Sequence, residues 1–339
     1  MTRSGRRGPL RRAAAAASLA ALVWGIAGSA ALRAGPAPAA GQRTAASKAA
    51  ARPAAEQVPA FRAGVDVVSL AVTVTDAAGR YVGGLDQSAF HVFEDRAPQE
   101  IAFFSRSNLP IALALLLDTS ASMEGRMATA QGAAVGFARR LRPEDIGELV
   151  AFDREARVLQ GFTHDPARLE AAIRSTTAAG STSLYNALYV SLKELGKTRP
   201  AAERDIRRQA IVVVSDGADT SSLVSYDEVL DLARRSETVI YAIGLKSTDP
   251  VTDRSYHEAD FVLRQLAQAT GGRAFFPARI EDLAGVYAQI ADELASQYVI
   301  GYISKNPTRD GAWRRIEVQV DRDGARVRTR PGYYGPRGR

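Results

Sequence analysis

Asp118, Ser120 and Ser122 occupy alternate positions directly after the apolar run at residues 111–117. Alternate residues of extended backbone point the same way, so one carboxylate and two hydroxyls can converge on a single point. That oxygen set suits a hard cation. The carboxyl end of a buried strand in an open α/β sheet is also where ligands bind. Asp and Ser are ordinary turn and cap residues, however, so the pattern D-x-S-x-S gains weight only from company. Two other segments supply it. Residues 180–188 (GSTSLYNAL) put hydroxyls at a loop-to-helix junction, and residues 211–217 (IVVVSDG) put a carboxylate at the end of a second apolar strand. Three loops together offer five oxygen-bearing side chains.

In order and spacing these segments resemble the von Willebrand factor A domain with its metal-ion-dependent adhesion site, over roughly residues 110–295. The family motif is D-x-S-x-S, then a Thr in a later loop, then an Asp after a central strand. The matching positions are Asp118, Ser120, Ser122, Thr182 and Asp216. The resemblance implies that Ser120, Ser122 and Thr182 bind the ion directly, while Asp118 and Asp216 act partly through water. It also implies an open coordination position, which an exposed Asp or Glu of a protein partner fills. Mg²⁺ fits two carboxylates and three hydroxyls, since it takes six oxygens at about 2.1 Å and tends to keep waters. Mn²⁺ fits the same set, whereas soft metals want sulfur or imidazole.

Alternating apolar strands and amphipathic helices supply the elements that must position these residues, so the fold class is α/β. A Rossmann-like open sheet of about six strands flanked by helices is expected over residues 108–295. Helices are predicted at 126–141, 165–175, 184–195, 226–236, 259–270 and 281–294. Strands are predicted at 146–152, 156–162, 211–215, 239–244 and 273–276, with a hairpin turn at Asp153, Arg154 and Glu155. Right-handed crossovers then place the strand ends before Asp118 and Asp216 side by side. Tyr185 is expected to pack under the Thr182 loop. Asp219 reads either as an acid orienting water beside the site or as a surface loop acid. His91, His164 and His257 are scattered and form no metal-binding cluster.

Both flanks are β-rich. Residues 65–75, 90–94 and 100–104 read as strands, with turns at 76–79 and 95–98, and residues 298–302, 313–320 and 326–330 offer partners. The N-terminal flank (61–107) and C-terminal flank (296–335) are expected to pair into one β-sandwich-like platform around the inserted α/β domain. With the site motif, these flanks resemble the bacterial VWFA-related Acidobacterial domain, a family that implies export and architecture more than a task. Arg326, Arg328 and Arg330 alternate along one such strand and read as a solvated sheet face.

The net charge of +7 invites a nucleic-acid reading, yet residues 1–60 hold nine Lys/Arg against one acid, and the remainder is nearly neutral. The basicity is an N-terminal device, and nucleic acid is not expected as a partner. Arg3, Arg6, Arg7, Arg11 and Arg12 precede an Ala-rich apolar run at 13–32. That pattern is a secretory signal peptide or, if uncleaved, a membrane anchor. Residues 33–60 read as a flexible Ala/Pro-rich linker. The chain has no cysteine, so neither disulfides nor lipid on a cysteine are available to it. Export to the periplasm, cell surface or medium is the expected fate.

The function these readings favour is divalent-metal-dependent protein binding, in adhesion or assembly, without catalysis. A metal-dependent hydrolase is the alternative, because a bound ion could activate water. It would need a proton acceptor near the open position, and none is seen beyond the ligands themselves. The G-x-S-x-G, Walker and H-E-x-x-H patterns are all missing. A structural envelope-assembly module whose metal is incidental is the third reading.

Overall fold

The computed structural model describes residues 67–106, 109–198, 207–216, 218–245 and 253–338. The predicted leader, anchor and linker, and the first two residues of the strand expected from 65, lie outside the described residues. The N-terminal flank forms β1 (Val67–Thr75), β2 (Phe90–Glu94), β3 (Ala97–Gln99) and β4 (Ile101–Arg106). Part of the turn expected at 95–98 is therefore strand: Asp95 and Arg96 take positive φ, and Ala97 already pairs with Glu94.

The α/β region follows as β5 (Ile111–Asp118), β6 (Ile146–Phe152), β7 (Ala156–Thr163), β8 (Arg208–Ser215), β9 (Val239–Gly244) and β10 (Ala274–Phe275). They form one six-stranded sheet in the order β10-β9-β8-β5-β6-β7, parallel except for β7. Every residue of β5 is buried, because helices cover both faces of the sheet. Period two divides the strand between two cores. Leu113, Leu115 and Leu117 pack with α1 (Met127–Ala138), α2 (Pro166–Arg174) and α6 (Leu283–Ser296). Ala112, Ala114 and Leu116 pack with α3 (Leu184–Lys197), α4 (Tyr226–Arg235) and α5 (Asp253–Ala269). Each buried leucine contributes about 1.5–3 kcal/mol.

Local sequence explains where these helices start. Asp165 accepts the Ala167 N–H ahead of Pro166, and Ser225 with Glu228 makes a reciprocal capping box for α4. The helix expected from 126 instead starts at Met127, after a 3₁₀ turn over Ala121–Arg126. A tight turn is required there because Ser122 must still face the strand end. α5 starts six residues earlier than expected, and β10 is only two residues long.

The C-terminal flank adds β11 (Tyr298–Ile303), β12 (Trp313–Val320), β13 (Arg326–Arg328) and β14 (Gly332–Tyr334). Two four-stranded sheets result, β13-β1-β11-β4 and β14-β12-β2-β3, so each draws strands from both flanks. They share a core of Val68, Leu70, Val72, Phe90, Tyr298 and Ile316, among others. The opposite face of β1 meets the α/β region: Ala71 packs against its core, and the Thr73 hydroxyl donates to Glu293 of α6 at 3.4 Å. Glu293, buried to 1% exposure, also accepts from Tyr241 at 2.7 Å, Tyr81 at 3.2 Å and Arg328. Arg330 donates to the Ser69 carbonyl at 2.8 Å. Arg328 and Arg330 are thus tied into the junction, and of the alternating arginines only Arg326 is exposed.

Candidate metal centre

β5 and β8 run side by side with Leu117 opposite Val214. This register sets Asp118 beside Ser215 and Asp216, although almost a hundred residues separate them. Ser215 Oγ donates to Asp118 Oδ2 at 2.5 Å, and the Ser120 N–H donates to Oδ1 at 2.8 Å. The Ser120 and Ser122 hydroxyls lie 2.9 Å apart, and Ser122 Oγ donates to Asp216 Oδ1 at 2.7 Å. Four of the five predicted residues therefore join one continuous polar chain across two strand ends. Asp118 and Asp216 are 0% and 2% exposed.

The loop that carries Thr182 is fixed to the strand end beside this chain by its neighbours Ala179 and Gly180. The Ala179 N–H donates to the Thr119 carbonyl at 2.8 Å, and the Ala121 N–H donates to Gly180 O at 3.0 Å. Gly180 turns between them at φ +77°, a conformation that side-chain-bearing residues rarely adopt. Thr182 itself is buried, and its carbonyl accepts from the Thr220 and Ser221 N–H groups at 2.8 and 3.1 Å. The three loops named from the sequence are thus hydrogen-bonded to one another.

Asp219 is held by groups of the neighbouring loop and helix. Its carboxylate accepts the Tyr185 N–H at 3.1 Å and the Ser222 hydroxyl at 2.6 Å, which clamps the 219–222 loop to the start of α3. Tyr185 packs against Tyr226 with ring centroids 6.0 Å apart, and burial pushes its phenol up to about 12. Asp153 accepts the Glu155 N–H within the hairpin turn. His91 pairs with Asp321 and His164 with the Asp145 carbonyl; the His257 side chain lies outside the described residues.

Burial pushes the Asp118 carboxyl up to about 6. The hydrogen bonds from Ser120 and Ser215 oppose that shift, and the Asp216 charge adds to it. Two buried carboxylates in one chain are costly unless a cation compensates them. The structure displays that demand directly: Arg126 Nη1 donates to Asp216 Oδ2 at 2.7 Å. The donors are all oxygens, so the set fits Mg²⁺ or Mn²⁺. Among the described residues no group of three or more His, Cys, Asp or Glu could hold a metal, so any ion here would depend on the hydroxyls as well as the carboxylates. Sequence reasoning missed Ser215 and Arg126. Ser215 could have been found as the residue before Asp216, but Arg126 gave no signal as the first residue of a predicted helix.

The sheet with helices on both faces is the fold of the von Willebrand factor type A domain, and the family model of that domain matches residues 113–218. Among curated proteins, the UPF0353 protein of Mycobacterium leprae is 25% identical over 238 residues, covering 61% of this chain and 65% of that protein. An uncharacterised Synechocystis protein is 30% identical over 112 residues, covering 32% of this chain and 26% of its own. The chain thus spans less than two thirds of the length of these relatives. Among solved structures, a von Willebrand factor type A protein from Catenulispora acidiphila aligns with a TM-score of 0.48 at 14% identity, over 81% of this chain and 76% of that one.

Proposed function

We propose that this protein binds a divalent cation, Mg²⁺ or Mn²⁺, through Asp118, Ser120, Ser122, Thr182 and Asp216, and uses it to capture an acidic side chain of a protein partner. The observation that carries this reading is the unbroken polar chain from Asp118 through Ser120 and Ser122 to Asp216. It gathers hard oxygen ligands at adjoining strand ends, with the Thr182 loop fixed alongside. When bound, the ion supplies an electrophilic position at which a partner's carboxylate can coordinate. The protein's own residues preorganise that position. Ser215 and the Ser120 amide hold Asp118 in one orientation, and Asp219 braces the loop that carries Thr182.

This role is one of adhesion or assembly rather than catalysis, because both carboxylates of the cluster serve as ligands. Its setting is outside the cytoplasm, a reading supported by the charged and apolar leader. Residues 13–32 would provide either a cleaved signal or an anchor. Among the described residues, no helix is long and apolar enough to cross a membrane. The test is capture of envelope proteins by the full chain with Mg²⁺ against EDTA, alongside Asp118→Ala and Thr182→Ala. Capture is expected only with Mg²⁺ and the native residues. Capture that survives chelation or both substitutions would refute the metal bridge.

A further inference from the structure

Arg126 is the residue in this centre that a metal-binding cluster has least reason to contain. It closes the 3₁₀ turn that carries Ser122 and stands at the N-terminal boundary of α1. A cation is disfavoured there, because the helix end is itself partially positive. A long charged side chain at such a boundary would ordinarily extend into solvent. Arg126 instead turns inward: its side chain is 17% exposed, against 1% for the Asp216 carboxylate that it meets.

Both Asp216 oxygens are engaged, Oδ1 by the Ser122 hydroxyl and Oδ2 by the Arg126 guanidinium. For Asp216 to serve a divalent ion, directly or through water, an oxygen must turn from an N–H donor to a cation. The guanidinium must then either leave or remain beside a second positive charge. Neither is neutral in energy at a site this buried.

We propose that Arg126 is a tethered competitor for the divalent cation, holding the centre in a partly self-neutralised state that ion binding must displace. The inference rests on the metal-binding reading above and deepens it. The built-in charge compensates the Asp216 carboxylate when no ion is bound, and it sets how much free ion is needed to fill the site. Its slight exposure leaves the guanidinium a route to water on release. Ser122 is coupled to the exchange, because the turn that ends in Arg126 also aims the Ser122 hydroxyl.

The test is Mg²⁺ titration of the full chain by calorimetry, comparing native protein with Arg126→Gln and Arg126→Lys. A unit charge within about 4–6 Å shifts a neighbouring ionic equilibrium by roughly one to three powers of ten. Arg126→Gln is therefore expected to bind Mg²⁺ about tenfold or more tightly than native protein, and Arg126→Lys to stay near native affinity. In native protein, the Arg126 Nε–H resonance is expected to shift and exchange faster as Mg²⁺ saturates the site. Equal or weaker binding by Arg126→Gln, with native protein binding normally, would overturn the competitor and leave the metal site standing. Binding by neither protein would overturn both. Should Arg126→Gln fail to fold, an Arg126 resonance unchanged at Mg²⁺ saturation overturns the proposal by itself.

Discussion

Two buried acids, Glu293 and Asp216, each meet an arginine, yet they are built for different ends. Glu293 lies at the junction of the β-rich flanks with the α/β region. Tyr241, Tyr81, Thr73 and Arg328 converge on it from four separate segments. Asp216 lies at a strand end, and its neighbours are themselves candidates for exchange: a serine that could bind an ion and an arginine with a path to water. The first acid is enclosed by donors that also bond to the surrounding scaffold, Tyr81 to the Gln289 carbonyl and Tyr241 to Gln297. The second is held by one hydroxyl and one guanidinium, groups that ion binding as proposed would rearrange. Pairing with arginine does not by itself tell a structural carboxylate from a functional one, but the identity of the remaining partners does.

The largest effect should come from breaking the closed hub. Glu293→Ala leaves Arg328 without its partner and strips acceptors from Tyr241 and Thr73, and loss of one member of a buried ion pair costs about 3–5 kcal/mol. Urea unfolding should show that loss with and without Mg²⁺. A cost under about 1 kcal/mol would mean the junction does not depend on this carboxylate. The matching change at the open cluster, Asp118→Ala, should act differently. A ligand present at a hundred times its dissociation constant stabilises a fold by about 2.7 kcal/mol. Native protein should therefore gain stability of that order in saturating Mg²⁺, and Asp118→Ala should gain none. An equal Mg²⁺-induced rise in melting temperature for both proteins would sink the assignment of Asp118.

The same contrast separates what the sequence could and could not reveal. The α/β fold was readable because its signals are local: β5 and β8 each contain an uninterrupted apolar run, and the capping residues of α2 and α4 sit beside the helices they start. The candidate ligands were readable because each lies at the end of such an element. The hub at Glu293 was invisible, since its partners lie 35 to 220 residues away and none has a distinctive neighbourhood. Arg328 and Arg330 looked like a solvated face because strand alternation says which side a residue faces and nothing of what covers that side. The roles of Arg126 and Asp219 were out of reach for a related reason. Each acts by reaching across to another loop, and the sequence records the reach of a side chain without its direction.

A third kind of buried acid sharpens the comparison. Glu148 of β6 is 1% exposed, and one of its oxygens has no hydrogen-bond partner. Burial pushes its carboxyl up to about 8, with the Glu194 charge adding to the shift. The folded protein therefore holds a proton that the unfolded chain releases near pH 4.5, so stability should fall as pH rises from about 5 to 8 and level off above. Glu148→Gln removes the titration, and should stabilise the protein by about 1–3 kcal/mol at pH 8 while changing little at pH 5. Denaturant midpoints at the two pH values test this, and an identical gain at both would show that charge is not what makes Glu148 unfavourable.

The smallest effect is expected at the brace between these extremes. Asp219 holds no candidate ion ligand by its side chain, yet it caps the N–H of Tyr185 in the first turn of α3 and grips Ser222. Loss of such a cap costs about 1 kcal/mol. Asp219→Ala should therefore lower stability by that amount and weaken Mg²⁺ binding less than Thr182→Ala does, because the loop loosens while every ligand remains. Calorimetric titration of the two variants side by side decides the point. If Asp219→Ala abolished binding as completely as Thr182→Ala, Asp219 would belong to the ion's own shell, and the line between brace and ligand would have to be redrawn around it.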